Sequence, residues 1–527
     1  MKTNLDLHDI QGNIIKGYGR FGFPKARYIL YRVTDSDAGR KFVTDLIPLI
    51  TTSVPWVSSS STEKGNPKPK VTTNIAFTYE GLKKLDIPEV SLHSFPDEFS
   101  MGMKDRIDIL GDDGASSPDN WDPVWQLVEQ IHILISINAE TIEDIKGRYQ
   151  EIDKCLLDGV EQLHGHKGDD GVNLSYQDGS AIYDGDIPTP KEHFGYTDGI
   201  SDPYFWGSGA STISVVGGGK RTREDATTKA GWEPLETGEF LLGHKDESDE
   251  YPTAPIPRLL SRNGTFMVFR KLHQNVGLFN AYLEKEGASY SGGKEELAAK
   301  FAGRWRNGAP LVDFSTEDSA NEFIAQFIQA RSNSYTASAE NKEAARAEYL
   351  ALKKKLVAFD FDKDIPGSKC PVGSHIRRVN PRGSLEFGKE AFNTHGALVN
   401  RRRIARRGLP YGKVKDPSSN DGNHGIIFMA LNADIKRQFE FVQQQWINYG
   451  NDFKLANDKD PLLGNQQAKE NGGGDGRMVI EADPNGERPP FFCQAIPRFV
   501  ETRGGDYFFI PSLTALRLIG AGLVDPT

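Results

Sequence analysis

Twice, far apart in the chain, a β-branched strand runs straight into a helix. Residues 132–138 (HILISIN) lead through Ala139-Glu140-Thr141 to apolar residues at Ile142, Ile145, Tyr149, Ile152 and Leu156, a helical spacing. Residues 425–431 (GIIFMAL) lead through Asn432-Ala433-Asp434 to Ile435, Phe439, Phe441, Val442 and Trp446. A third copy runs from 265–272 (TFMVFRKL) into 276–283. Repeated strand-to-helix units at long intervals imply two related lobes, each a sheet covered by helices on one face. The expected class is therefore α+β.

The remaining segments fill in around these units. Residues 26–33 (ARYILYRV) read as a buried strand, 39–46 as a helix stopped by Pro48, 51–71 as a loop, 74–79 as a strand and 79–85 as a helix. Residues 95–121 and 168–264 are rich in Gly, Asp and Pro and are expected to be irregular. A long irregular stretch in a compact chain is disordered or functional, and the second one is read as functional. Helices are expected at 295–306, 319–330 and 337–358, and the apolar tail 507–518 is expected to be packed. The expected division is an N-terminal lobe over 1–215 and a C-terminal lobe over 216–527.

Charge and composition remove several classes. A net charge of -10 leaves no basic excess to neutralise phosphates, so no nucleic acid is expected as partner. No run of about 18 apolar residues exists, so no membrane partner is expected. The three cysteines, Cys155, Cys370 and Cys493, are too few and scattered for a disulfide framework or a zinc cage. Residues 1–17 are polar and charged with no apolar leader, so a cytoplasmic location is expected, with export by another route not excluded.

Three stretches carry chemistry. In 370–382 (CPVGSHIRRVNPR), His375 follows the small residues Gly373 and Ser374, which leave room for a flat cofactor. An imidazole so placed suits an axial haem iron ligand, with Arg377, Arg378 and Arg382 near enough in sequence to pair with propionates. The blander reading of any one histidine is a hydrogen-bonded core or surface residue. In 194–203 (FGYTDGISDP), Asp198 sits between Gly195 and Gly199, where the backbone can adopt positive φ and approach a ligand. A carboxylate there could move a proton; alone it is an ordinary turn aspartate. In 401–407, Arg406 could stabilise developing charge, or belong to a basic surface patch.

Together the stretches resemble the signature of the dye-decolourising peroxidases. Gly195 to Gly199 matches the family's Gly-x-x-Asp-Gly motif, His375 to Arg382 its His-Ile-Arg-x-x-Asn-Pro-Arg segment, and Arg406 the first residue of its Arg-Arg-Gly run. The opening Asp9-Ile10-Gln11-Gly12-Asn13-Ile14 is similar to the family's start, so the resemblance spans nearly the whole chain, and the length resembles the larger bacterial and fungal-like members.

The resemblance implies two ferredoxin-like lobes, antiparallel sheets with peripheral helices, in a dimeric α/β-barrel architecture. It implies haem b (iron protoporphyrin IX), with His375 as axial iron ligand and Arg377, Arg382 and Gly199 as further cofactor-binding residues. Asp198 and Arg406 would drive O–O cleavage of hydrogen peroxide, and aromatic reductants (anthraquinone and azo dyes, phenols) would return electrons one at a time. A carboxylate orienting the histidine is expected downstream, with Asp460 as candidate. The interval from His375 to Arg406 is longer than the family pattern, part of 383–402 reading as an insertion, which leaves Arg407 as an alternative to Arg406. Trp446, Tyr411, Tyr449 and Trp206 are candidates for a surface relay or for packing. An acidic optimum is expected, since a carboxyl titrates near pH 4. The alternatives are a haem-handling protein with incidental peroxidase turnover and a non-haem α+β enzyme. The assembly expected is a monomer or homo-oligomer.

Overall fold

The computed structural model describes residues 4–57, 66–168, 171–209, 215–222, 231–338, 340–385, 396–468, 474–483 and 485–524. Residues 58–65 of the expected loop and 386–395 of the stretch read as an insertion lie outside the described residues.

The first lobe runs β1 (Lys25–Val33), α1 (Ser36–Leu46), β2 (Val71–Phe77), β3 (Ile133–Ala139), α2 (Ile142–Asp153) and β4 (Val160–Gln162). Its strands pair antiparallel in the order β4-β1-β3-β2. The second lobe runs β5 (Thr265–Gln274), α3 (Val276–Gly287), β6 (Ala405–Arg406), β7 (Leu409–Tyr411), β8 (Gly425–Asn432), a π-helical segment (Lys436–Glu440 and Val442–Ile447) and β9 (Val500–Ile510). Here the order is β9-β5-β8, with β6 and β7 both on the outer side of β8. Counting β6 and β7 as one interrupted strand, both lobes have the fourth strand beside the first, then the third, then the second. That is the ferredoxin-like order expected, and it places the two crossover helices of each lobe on one face.

The sheets join edge to edge through Phe509 of β9 opposite Phe77 of β2, making one ten-stranded sheet. The barrel expected from the resemblance is not closed by backbone hydrogen bonds among the described residues. At the other ends of the path, strand Gln177–Ser180, paired to β1, meets β7 by packing alone. A Cβ added to Gly179 would stand 3.4 Å from Leu409 Cβ and from Pro410 O. Pro410 has no N–H to offer a further strand, which suits an edge that ends the ladder. Between the inner faces, Tyr28 meets Phe269 edge-on at 5.5 Å and Trp125 stacks on Phe269 at 5.2 Å, so the interior is filled.

The tail is packed: α8 (Leu513–Ala521) is capped by Ser512 and lies on α1. The stretch 95–121 departs from expectation, folding into single helical turns such as Asp97–Met101 and Ile107–Leu110. Gly102 and Gly111, at φ +75 and +72, stop each turn before a helical period can develop in the sequence. Helices α4 (Gly293–Ala302), α5 (Glu317–Thr336), α6 (Lys342–Val357) and α7 (His375–Val379) lie between β5 and β6 in the chain. Among the described residues no helix is long and apolar enough to cross a membrane.

Candidate functional site

The site is assembled around the C-terminus of α4. That helix ends at Ala302 rather than continuing to 306, because Gly303 takes φ +85 and turns the chain. A Cβ there would stand 2.5 Å from Ile376 Cγ1 and 3.0 Å from Ser374 Oγ, so the turn must be glycine for α7 to pack against it. On the other side, Thr197 N donates to Arg306 O at 3.0 Å and Tyr196 Oη to Ala298 O at 2.7 Å. One helix and its turn thus hold both the His375 segment and the Asp198 loop.

His375 opens α7, its ring Nδ1 standing 2.9 Å from Asp460 Oδ2. Asp460 is wholly buried, and its Oδ1 accepts the Leu462 and Leu463 amides at 2.8 and 2.9 Å. Burial pushes this carboxyl up, but His375, Arg378 and the Leu463 amide outweigh it, and the net effect holds it below the usual carboxylate range. An acceptor fixed on Nδ1 favours the tautomer whose Nε2 carries a lone pair. The His375 side chain remains 24% exposed. Arg378, fully buried, clasps the surrounding loops through Gly373 O at 3.0 Å, Trp446 O at 2.8 Å and Asp458 O at 2.9 Å.

The Asp198 loop is shaped from within by Glu192, which the sequence reading missed. Its buried carboxylate accepts the Phe194 and Tyr196 amides, each at 2.8 Å, and burial, together with Asp198, raises its titration above the usual range. Gly195 and Gly199 take φ +90 and +69 as the glycines predict, and the Gly199 amide donates to Asp198 Oδ1 at 2.6 Å. Arg406 Nη1 donates to the same oxygen. Asp198 raises the Arg406 guanidinium above its ordinary value, against an opposing effect of burial. The Arg406 and Asp198 side chains remain 40% and 47% exposed. Arg407 faces elsewhere: it is buried, ion-paired to Asp202 at 2.7 Å and bonded to Ile14 O at 2.8 Å.

Of the three arginines expected near propionates, Arg378 is engaged by loop carbonyls, and the other two fall differently. Arg377 departs from the expectation: it donates to Cys370 O at 2.7 Å and Ile365 O at 3.0 Å and lies over the Phe361 ring, so it shapes the loop before His375. Two helical positions separate it from His375, which turns the side chains to opposite faces. Arg382, at φ +52, donates to Val357 O at 3.0 Å and stacks on Phe359 at 3.9 Å. Burial, with Arg304 and Arg403 nearby, pulls it down to about 9, Asp360 only partly offsetting them. Burial likewise lowers Arg304 and Arg403 to about 10 each. Arg406 adds to the lowering of Arg304. Of the relay candidates, Trp446 and Tyr411 are fully buried, Trp206 is half-buried and Tyr449 is exposed.

The residues fit a haem. An imidazole with a buried carboxylate behind Nδ1 offers Nε2 as an axial nitrogen, and crowded arginines favour an anionic group such as a propionate. Fold and site therefore define a two-lobed α+β protein in which one helix and its turn hold a histidine–aspartate dyad on one side and the loop of an aspartate–arginine pair on the other.

Comparison with known proteins agrees. The family described as the DyP dimeric alpha+beta barrel domain matches residues 9–170. Dye-decolorizing peroxidase msp1 of Mycetinis scorodonius is 26% identical over 98% of this chain and 88% of its own length. The multifunctional dye peroxidase DyP2 of Amycolatopsis is 26% identical over 97% and 95%. The solved structure of an ancestral D-type dye decolorizing peroxidase superposes with a TM-score of 0.68 at 27% identity, covering 98% of this chain and 99% of that one. The fungal DyP-type peroxidase of Auricularia auricula-judae shares the fold, with a TM-score of 0.70 at 22% identity over 99% and 100%. Along nearly its whole length the chain is thus similar to dye-decolorizing peroxidases.

Proposed function

We propose that the protein is a haem b peroxidase that reduces hydrogen peroxide and oxidises aromatic compounds, anthraquinone and azo dyes and phenols among them. The observation that carries this reading is the Asp198–Arg406 pair, a carboxylate and a guanidinium locked together with both side chains still partly exposed. The haem, when bound, supplies the redox chemistry with peroxide and with the reductant. His375 would hold its iron, with Asp460 fixing the ring, while Arg304, Arg382 and Arg403 would face the propionates. Asp198 would take a proton from the near oxygen of hydrogen peroxide and return it to the far oxygen, which then leaves as water. Arg406 would orient the peroxide and stabilise charge on the departing oxygen, its donors being fixed before the substrate arrives.

The test is Asp198→Asn in the haem-loaded protein. Dye decolourisation per haem should fall by about 10²–10⁴-fold while the haem absorption band persists. A variant that decolourises dye at the wild-type rate would remove Asp198 from the mechanism. A wild-type protein that takes up haem but reacts with no peroxide would support the haem-handling alternative.

A further inference from the structure

The Arg406 peptide is gripped on both sides by a second ion pair. Asp202 Oδ1 accepts the Arg406 N–H at 3.3 Å, and Arg407 Nη1 donates to the Arg406 carbonyl at 2.7 Å. The two gripping side chains are joined to each other, Arg407 Nη1 to Asp202 Oδ2 at 2.7 Å, and their side chains are only 3% and 12% exposed. The clasp is anchored in turn by the N-terminal segment: Arg407 Nε donates to Asn13 O at 2.5 Å and Nη2 to Ile14 O at 2.8 Å. The Arg407 amide itself stays in the ladder, donating to Met429 O at 2.8 Å.

Asp202 lies four positions after Asp198 on the same connection, so the clasp ties the loop that carries one member of the Asp198–Arg406 pair to the strand that carries the other. Strand β6 is only two residues long and cannot fix Arg406 by its own ladder. We propose that Asp202 and Arg407 are positioning residues that set the register of Arg406 against Asp198. This rests on the reading of that pair as the peroxide-handling groups. It also accounts for the opening motif, since its backbone carbonyls complete the coordination of the Arg407 guanidinium. A fork of five donors suits the task, because Arg407 meets a carboxylate and three carbonyls at once and lysine can match only part of that geometry.

The experiment compares Asp202→Asn, Arg407→Lys and Arg407→Met with wild type and with Asp198→Asn, all haem-loaded, with rates expressed per haem. In Asp202→Asn and Arg407→Met, kcat/KM for hydrogen peroxide should fall by about 10–100-fold, the effect of displacing a reacting group by roughly 1 Å. The KM for a phenolic reductant should stay within about twofold, because uniform loss of binding is not involved. Arg407→Lys, which keeps the charge and one or two of the bonds, should recover part of the loss. A merely structural role would lower folded yield and haem content but leave the peroxide rate per haem at the wild-type value in all three variants, and that result would overturn the proposal. If Asp202→Asn does not fold, Arg407→Met and Arg407→Lys against wild type decide: an unchanged peroxide rate per haem in both refutes positioning. If Asp198→Asn itself retains full peroxide reactivity, the underlying reading of the pair fails first, and the two failures are told apart.

Discussion

Replacing Asp460 by Asn changes a carboxylate to an amide of the same shape, and the structure specifies what must follow. The native carboxylate accepts three hydrogen bonds, two from the Leu462 and Leu463 amides on Oδ1 and one from His375 Nδ1 on Oδ2. If the Asn oxygen keeps the two amides, its NH2 faces Nδ1, and the ring must become an acceptor there, moving its proton to Nε2. If the amide flips, two backbone donors meet an NH2 group instead. Hydrogen bonds to a charged group contribute about 1.5–3 kcal/mol each, so a loss of about 2–4 kcal/mol is expected. With about 2.1 cal/mol/K of unfolding entropy per residue, a chain of 527 residues changes by ~1.1 kcal/mol per degree, and the midpoint should drop by about 2–4 °C. Asp460 is held below its ordinary value, so its carboxylate contributes stability above about pH 4 and loses it as the pH falls through the folded value. The gap between wild type and variant should therefore be full at pH 7 and shrink on acidification. The assay is thermal unfolding at pH 7 and pH 3.5, with haem retention followed on the same samples, where a loss of about 10–100-fold in affinity is expected from a lost partner of a metal-ligating histidine. Equal midpoints and equal haem retention at pH 7 would refute the reasoning.

Two other substitutions probe the frame around the site. Asp506 is buried and raised to about 6, its Oδ1 accepting the Met103 and Tyr507 amides at 3.0 and 2.8 Å, both of which an Asn oxygen can also accept. A raised folded value means that its contribution is present below about pH 4 and lost as the pH rises through about 6, so Asp506→Asn should melt above wild type at pH 8, by on the order of 1–3 kcal/mol. No gain at pH 8, measured by thermal unfolding, would contradict this. Gly303→Ala forces a Cβ to 2.5 Å from Ile376 Cγ1 at a backbone φ of +85. The left-handed conformation alone costs about 1–2 kcal/mol, so a lower midpoint and weaker haem retention are expected, and an unaltered variant would show that α7 does not depend on the turn.

What was legible in the sequence was local. The two strand-to-helix units stand where residues 132–156 and 425–446 place them, although the second helix is π-wound, a difference of hydrogen-bond register that apolar spacing does not report. Gly195 and Gly199 adopt the positive φ that two glycines around an aspartate imply. The 4-1-3-2 strand order was not legible in periodicity, because pairing joins segments far apart in the chain, such as β9 with β5. Proximity in sequence misled for Arg377, two positions from His375 but turned to the opposite face of a short helix. Glu192 and Asp202 were passed over because a carboxylate that accepts backbone amides or clasps a peptide leaves no spacing pattern. Each is nevertheless within six residues of Asp198, and acids flanking a glycine turn are the signal that could have found them.

The central claim is tested most directly by mixing the haem-loaded protein with one equivalent of hydrogen peroxide in a stopped-flow spectrometer, then adding an anthraquinone dye. The account predicts that the Soret band bleaches rapidly and recovers as the dye loses its colour. A Soret band that is present but unmoved by peroxide would contradict it.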